Sequence, residues 1–549
     1  MHRWNETRLC AAIFATTFAF YLLTSGREPP WGDGNVQYML AESLLHRGAL
    51  DVPKPWPDDL PADENGKYYS TYPLLTSAVQ LPGLALLDAV TSSKPARAFA
   101  RPVTTHVACS FFGALCCLLF FRLCRHRQLS LRASSIATTG LAIGTTVWVY
   151  AHYSYSEIAQ AAFFTGFFLA VLRAAEEPSP ARARRLGLWA GLLFSSKYVY
   201  AVAVLGACIY LVWRYRRQWK VLGNFALWAG VTFLPFLVAV LFYNAVCWGS
   251  PMKTGYTPYF DQYWGENLLV GLWGPFLSPG KSVFLYSPLL ILGLAAIPVL
   301  LRSHRAVCLV LLATAAPVVL VYSRYKLNGD YAWGPRFVVF LVPVLSLSFA
   351  TLIDVWLRAD RKWMMRTVFA TFMTAGVAVQ ALGVAFYWDH FIRISMDART
   401  EWLGKPNRKG AIIPTRADGR CDSCFEDIHQ LQWLSPFQPI LGHAWLMRSL
   451  MAGDNWTEAE ARAPWHRHTS LTLDISRSYA RARLDWWGML WIRDFSQYRT
   501  QGILLLLLFA AATAAGTAFW ILGHRALGRS DLSGEPVPTA SRDAGKVAQ

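Results

Sequence analysis

The sequence predicts an all-α polytopic membrane protein with about twelve crossings, and three observations predict it. The chain of 549 residues is 54% hydrophobic and only 16% charged, a balance that belongs to membrane-embedded chains and not to soluble domains. Apolar runs near the ~20 residues a helix needs to cross the hydrocarbon core recur from residue 7 to residue 387, and once more at 502–523. No strand-length alternation accompanies them, so helices are the spanning element. Third, basic residues gather in every second short loop, as cytoplasmic loops do. The clusters are Arg122 to Arg132, Arg182 to Arg185, Arg214 to Lys220, Arg302 with Arg305, Arg358 to Arg366, and Arg525 with Arg529.

Taken in order, the first span has no small-residue cleavage site after it and reads as an anchor. Residues 71–90 are apolar enough to cross, but a crossing would carry the Arg122–Arg132 cluster outside. Pro73, Pro82 and Gly83 also interrupt a helix there, so the segment is expected on the outer face. A single helix over 186–213 would be about 40 Å long at 1.5 Å per residue, more than the roughly 30 Å core. Two short crossings with a turn near Ser195-Ser196-Lys197 fit better, and put Lys197 on the outer side. Both termini then lie in the cytoplasm.

The expected organisation is a transmembrane module over 1–387, whose outer loop 26–99 carries Asp33. A small extracytoplasmic cap over 388–500 follows, then a last crossing at 501–524 and a disordered cytoplasmic tail over 525–549. Most cysteines lie within apolar runs, as small hydrophobes do. Cys421 and Cys424 form an outer C-x-x-C, read as a local disulfide in an oxidising compartment, with free thiols as the alternative; without a second pair it is a weak zinc signal. The sequon at Asn455 is too common a pattern to interpret.

The net charge of +18 is split among short loops and forms no continuous face, which excludes nucleic acid as a partner. No Walker loop, dinucleotide turn, H-E-x-x-H or G-x-S-x-G stands in a fitting context. What remains is a pair of acids at the outer mouths of spans: Asp33 in Trp31-Gly32-Asp33-Gly34, and Glu157 after His152-Tyr153-Ser154-Tyr155-Ser156. Ionisable groups near the bilayer are costly and tend to line a cavity or reaction path. The plain alternatives are that Asp33 caps a helix starting at Asn35, and that Glu157 bonds Tyr153 or His152 and holds a loop. The aromatic run from Tyr256 to Trp264 reads as an interfacial belt.

Four outer stretches together resemble the GT-C superfamily of membrane glycosyltransferases, near the bacterial relatives of protein O-mannosyltransferases and lipid A aminoarabinose transferases. They are Gly32-Asp33-Gly34 through Gly48; His152-Tyr153 through Glu157; Trp248-Gly249-Ser250-Pro251 with Phe276 through Lys281 and Phe284 through Pro288; and Trp333-Gly334-Pro335-Arg336-Phe337. They cover residues 1 to about 390. Relatives often carry an acidic pair where this chain has Asp33-Gly34, which speaks against a metal-assisted or two-carboxylate version of the local site.

The resemblance implies a sugar on polyprenyl phosphate as donor, an extracytoplasmic glycan, lipid or protein as acceptor, and a site on the outer face of a plasma membrane. Asp33 holds the position of the family's catalytic acid and is expected to act as general base in an inverting transfer, its pKa raised by partial burial. Glu157 is the second catalytic candidate. His152 and Tyr153 are substrate-binding candidates, and Lys197, Lys281, Arg324 and Arg336 are candidate phosphate contacts, with headgroup anchoring as the plain alternative for Arg336 and Lys281. No cofactor is required by this reading; a divalent cation is compatible with it but unsupported. The rivals are a transporter or flippase of a lipid-linked saccharide, against which stands the lack of internal repeats, and an inactive relative of the transferases.

Overall fold

The computed structural model describes residues 6–27, 32–53, 66–90, 94–257, 260–326, 332–358, 362–388, 390–392, 432–433, 437–452, 483–490 and 499–532. Cys421, Cys424, Asn455 and most of the 388–500 segment lie outside these residues. Among the described residues, nine helices are long and apolar enough to cross a membrane. They are Glu6–Leu23, Thr104–His126, Glu157–Glu176, Tyr198–Tyr215, Trp219–Trp248, Arg305–Tyr322, Arg336–Arg358, Trp363–Ala385 and Arg499–Ala526. The protein is a multi-pass all-α membrane protein. A count of twelve requires three more runs: 131–152, broken between Gly144 and Val147; Pro180–Ser196; and 283–303, divided into short pieces.

The sequence-level breaks fall where the proline and length arguments put them. Residues 71–90 form two short helices, Leu74–Ala78 and Leu81–Val90. The Pro180–Ser196 helix stops at Lys197, whose backbone is extended, and a 3-10 turn at Tyr198–Tyr200 leads into Ala201–Tyr215. One boundary moves: the last helix, Arg499–Leu532, runs past residue 524 into the stretch expected to be disordered. A helix already nucleated in an apolar span propagates at little cost, and Arg525, Ala526 and Leu527 are good helix formers.

Close helix packing rests on small residues, as it does where lipid removes the hydrophobic drive between helices. Gly187 and Gly191, spaced G-x-x-x-G, face the Trp219–Trp248 helix. A Cβ at Gly187 would lie 2.1 Å from the Ala229 carbonyl oxygen, and one at Gly191 would lie 2.2 Å from the Phe236 ring. The Glu157–Glu176 helix, apolar all round, sits at the centre with nearly every residue buried. Its far end carries Glu176, which accepts from Arg127 Nη1 at 2.9 Å. The basic loop 122–132 therefore lies at the opposite end of the bundle from Glu157.

At the Glu157 end, Asp33–Arg47 forms a helix, and Asp51–Val52 pairs antiparallel with Tyr68–Tyr69. Val36, Leu40 and Val52 pack with Tyr243 and Cys247 beneath this ribbon. The Tyr243 hydroxyl donates to the Ser70 carbonyl at 3.1 Å, which fixes the 70–72 turn over the helix ends. Residues 483–490 also reach this end: Trp487 N–H donates to the Ser25 carbonyl at 3.1 Å, and its indole donates to the Leu22 carbonyl at 2.9 Å.

Candidate active site at one end of the bundle

Four helix ends converge on one guanidinium. Asp33 is the first residue of its helix, and Glu157 opens the central helix. Both carboxylates thus sit in first turns, where the backbone dipole favours negative charge. Lys197 stands at a helix C-terminus, where a cation is favoured for the same reason. Arg336 begins the 3-10 turn Arg336–Leu341 and has no such help; its compensation is the two acids. The preceding Gly334 has φ +72°, and a Cβ there would lie 2.8 Å from the Tyr286 ring, so only glycine admits this turn.

Arg336 is buried and bridges the two carboxylates. Its Nε donates to Glu157 Oε1 at 2.8 Å, and its Nη2 donates to Asp33 Oδ2. The guanidinium lies 4.4 Å from the centre of the Tyr155 ring, within cation–π range. Lys197 Nζ stands 3.7 Å from Glu157 Oε1 and 4.6 Å from the Phe337 ring centre. Tyr72 donates to Asp33 Oδ1 at 2.5 Å. The Asp33 side chain keeps 25% of its surface exposed, against 3% for Glu157, so Asp33 is the acid that faces the open side. Glu157 Oε2 is buried with no hydrogen-bond partner among the described residues. The same donor set lacks a metal cage: among the described residues, no three His, Cys, Asp or Glu side chains gather as ligands.

Two expectations are corrected here. The Asp33 carboxyl is lowered below its ordinary value, not raised. Burial does push it up, but the Arg336 charge, the hydrogen bonds from Tyr72 and Arg336, and the Lys197 charge together outweigh that. Burial and the Asp33 charge push the Tyr72 phenol well up, so Tyr72 remains a donor. The helix-cap alternative also fails, since Gly32 occupies the cap position and caps with no side chain, and both Asp33 oxygens bond elsewhere.

The remaining candidates separate from the cluster. His152 is buried with Nδ1 2.5 Å from the Thr24 carbonyl oxygen and Nε2 3.3 Å from Asp485 Oδ2. The Tyr153 hydroxyl lies 2.5 Å from the Phe386 carbonyl oxygen. Neither bonds Glu157. Lys281 is buried and donates to the carbonyl of Ala332, on the loop that carries Arg336. Arg324 is exposed at the end of its helix, and its carbonyl accepts from Gly265 and Glu266 at 3.0 Å each.

Sequence reasoning passed over Tyr72, Tyr155, Tyr256 and Asp485. Tyr256 belongs to the run read as a belt, yet its ring lies 6.3 Å from those of Tyr72 and Tyr198. Asp485 receives Arg27 N–H at 2.8 Å as well as facing His152. Burial pushes its carboxyl up, but the His152 hydrogen bond and charge, the Arg27 N–H and the His106 charge bring it below its ordinary value. No local motif flags these residues; a polar aromatic before Pro73 on an outer segment was the one available sign for Tyr72.

Position 34 is sterically closed. A Cβ on Gly34 would lie 2.5 Å from the Ser154 carbonyl oxygen and 2.6 Å from Ser154 Oγ. Position 34 therefore has no room for any side chain.

No family model matches the chain, and no curated protein matches its sequence. Among solved structures, ArnT from Cupriavidus metallidurans bound to undecaprenyl phosphate is similar over 96% of this chain and 78% of its own, at 12% identity and a TM-score of 0.44. Its apo state covers 93% and 75%, at 13% identity and the same TM-score. The apo oligosaccharyltransferase of Archaeoglobus fulgidus is similar over 75% of this chain and 61% of its own, at 12% identity and a TM-score of 0.45.

Proposed function

We propose that this chain is a membrane glycosyltransferase that moves a sugar from a polyprenyl-phosphate donor to an extracytoplasmic acceptor. The observation that carries the reading is Arg336 held between Asp33 and Glu157 with Lys197 alongside. The resemblance of the outer stretches to the GT-C transferases supports the donor class. Arg is the residue suited to planar, paired recognition of a phosphate, and Lys197 adds a second positive charge.

In the resting state Asp33 is a weak base, because the guanidinium and the Tyr72 hydroxyl stabilise its ionised form. A donor phosphate competes with the carboxylates for Arg336. As the guanidinium turns to the phosphate, Asp33 loses the largest of the groups that lower its pKa, while its burial remains. Its proton affinity rises as the donor binds. The acceptor hydroxyl then attacks the anomeric carbon, the bond to the phosphate oxygen breaks, Asp33 takes the hydroxyl proton, and polyprenyl phosphate leaves with the bonding pair. Arg336 and Lys197 stabilise the charge that develops on the leaving phosphate. Glu157 holds Arg336 and Lys197 in place throughout, and its free Oε2 can accept from a sugar hydroxyl.

The test is transfer from radiolabelled polyprenyl-phosphate sugars by the purified full chain. Asp33→Asn is expected to lose at least about a hundredfold in turnover, the usual scale of general-base catalysis, with donor affinity retained. Wild-type turnover in that variant would remove Asp33 as base. Movement of labelled lipid between leaflets without bond cleavage would favour a transporter.

A further inference from the structure

At the end of the bundle remote from Arg336 there is an open cleft of about 140 Å³. It is lined by Ile136, Ile353, Trp356, Leu357, Met365 and Phe369, with Arg132 and Arg366 also on its wall. Arg336 opens the helical span 336–358, and Ile353 to Leu357 close it. At 1.5 Å per residue that places the cleft about 30 Å from the candidate active site.

The chemistry of the lining is specific. Both arginines are exposed, and among the described residues neither side chain makes a hydrogen bond or ion pair. Asp354, the acid on the same helix end, is already engaged by Ser130 N–H at 2.9 Å and by Arg358 Nη2 at 2.6 Å. Arg132 lies in the first turn of Leu131–Gly144, and Arg366 lies near the start of Lys362–Ala385. The N-terminal end of Leu131–Gly144 lies here, but so does the C-terminal end of Val342–Arg358, whose dipole has the opposite sign, so the positive charge is that of the two guanidinium groups. The rest of the wall is apolar and lies on Leu131–Gly144 and on two helices long and apolar enough to cross a membrane. A soluble anion would leave that wall uncovered, whereas a lipid satisfies both halves.

We infer that this cleft binds an anionic glycerophospholipid, its phosphate on Arg132 and Arg366 and one acyl chain along Ile136, Ile353, Trp356 and Phe369. The cleft is open on one side, so the headgroup phosphate seats in it while the acyl chain lies along the apolar wall. The lipid joins three helix ends, those of Leu131–Gly144, Val342–Arg358 and Lys362–Ala385. This site stands whether or not the transfer reaction is as proposed above.

The experiment is native mass spectrometry of the full chain in neutral detergent, titrated with phosphatidylglycerol, phosphatidylcholine or inorganic phosphate. Phosphatidylglycerol is expected to add one tightly held lipid that phosphatidylcholine does not supply and inorganic phosphate does not displace. Each of Arg132→Ala and Arg366→Ala is expected to weaken that adduct about fivefold, the worth of one basic side chain at a lipid surface. The double variant loses it. Arg132→Lys with Arg366→Lys retains it, which separates loss of charge from loss of fold. The inference is overturned if both lipids bind alike, if the double Ala variant keeps the wild-type occupancy, or if inorganic phosphate displaces the lipid.

Discussion

Arg336 and Asp33 stand 303 residues apart in the chain and form one half-buried ion pair at the ends of two helices. Glu157 accepts from the same guanidinium, and Lys197 Nζ, 3.7 Å from Glu157 Oε1, supplies the second positive charge. This makes Arg336 structural in the resting protein as well as the group expected to receive a phosphate.

Removing Arg336 should therefore cost stability. Arg336→Ala leaves two carboxylates facing each other beside Lys197 alone, and losing one partner of a buried pair costs about 3–5 kcal/mol. Thermal unfolding in detergent should show a large drop in Tm, with Arg336→Ala/Glu157→Gln partly restored. A Tm unchanged in the single variant would mean that the pair is not formed in solution.

Tyr72→Phe removes a donor that lowers the Asp33 carboxyl. A group whose folded pKa is depressed contributes stability above its unfolded value of about 3.9 and loses it as pH falls through the folded value. Asp33 must be ionised to act as base, so in wild type the acid limb of kcat/KM for transfer, which reports the free enzyme, is expected below that value. The Tyr72→Phe limb should move to higher pH, and Arg336→Gln should move it further. Coincident limbs in wild type and Tyr72→Phe would show that this hydrogen bond does not tune Asp33.

Introducing an acid at position 34 should fail. Gly34→Glu drives a side chain into the Ser154 carbonyl, 2.5 Å from the nearest possible Cβ, and displaces the helix that begins at Asp33. Gly34→Ala should already lower both Tm and activity. Adding Ser154→Gly relieves the hydroxyl clash but not the carbonyl one, so the rescue should be partial. Full activity in Gly34→Glu would refute the steric account.

His443 offers a pH-dependent stability test. Its Nδ1 bonds the Leu382 carbonyl at 2.8 Å, its Nε2 is buried with no partner among the described residues, and its ring lies 4.5 Å from that of Trp333. Burial pushes its pKa down from 6.5 to about 4. The unfolded state then binds the proton more readily, so stability is full above pH 6.5 and falls as pH drops toward 4. The loss is on the order of 3 kcal/mol at 1.36 kcal/mol per pKa unit. His443→Phe should flatten the Tm profile between pH 6.5 and 4; an unchanged slope would place the proton elsewhere.

Widening the G-x-x-x-G contact should disturb the site from a distance. Gly187→Leu and Gly191→Leu each push the Pro180–Ser196 helix off Trp219–Trp248, and that helix ends on Lys197. Donor affinity should fall with Asp33 untouched. Wild-type affinity in both variants would show that Lys197 is placed independently of this contact.

The linear chain was sufficient to determine that the protein is helical and multi-pass, where Lys197 interrupts a hydrophobic run, and that Asp33, Glu157, Lys197 and Arg336 merit attention. These follow from quantities that add along the sequence: hydrophobic length, loop charge and helix breakers. Tertiary packing decided the rest. It joined Asp33, Tyr72, Glu157, Lys197 and Arg336, sent His152 to Asp485 and Lys281 to the Ala332 carbonyl, and turned the Asp33 carboxyl downward in pKa. The reason is range: a pKa depends on charges within a few ångströms, and the cation that decides it is 303 residues away in the chain. Burial was legible in the hydropathy of the sequence, whereas the partner that outweighs it existed only once the helices had packed.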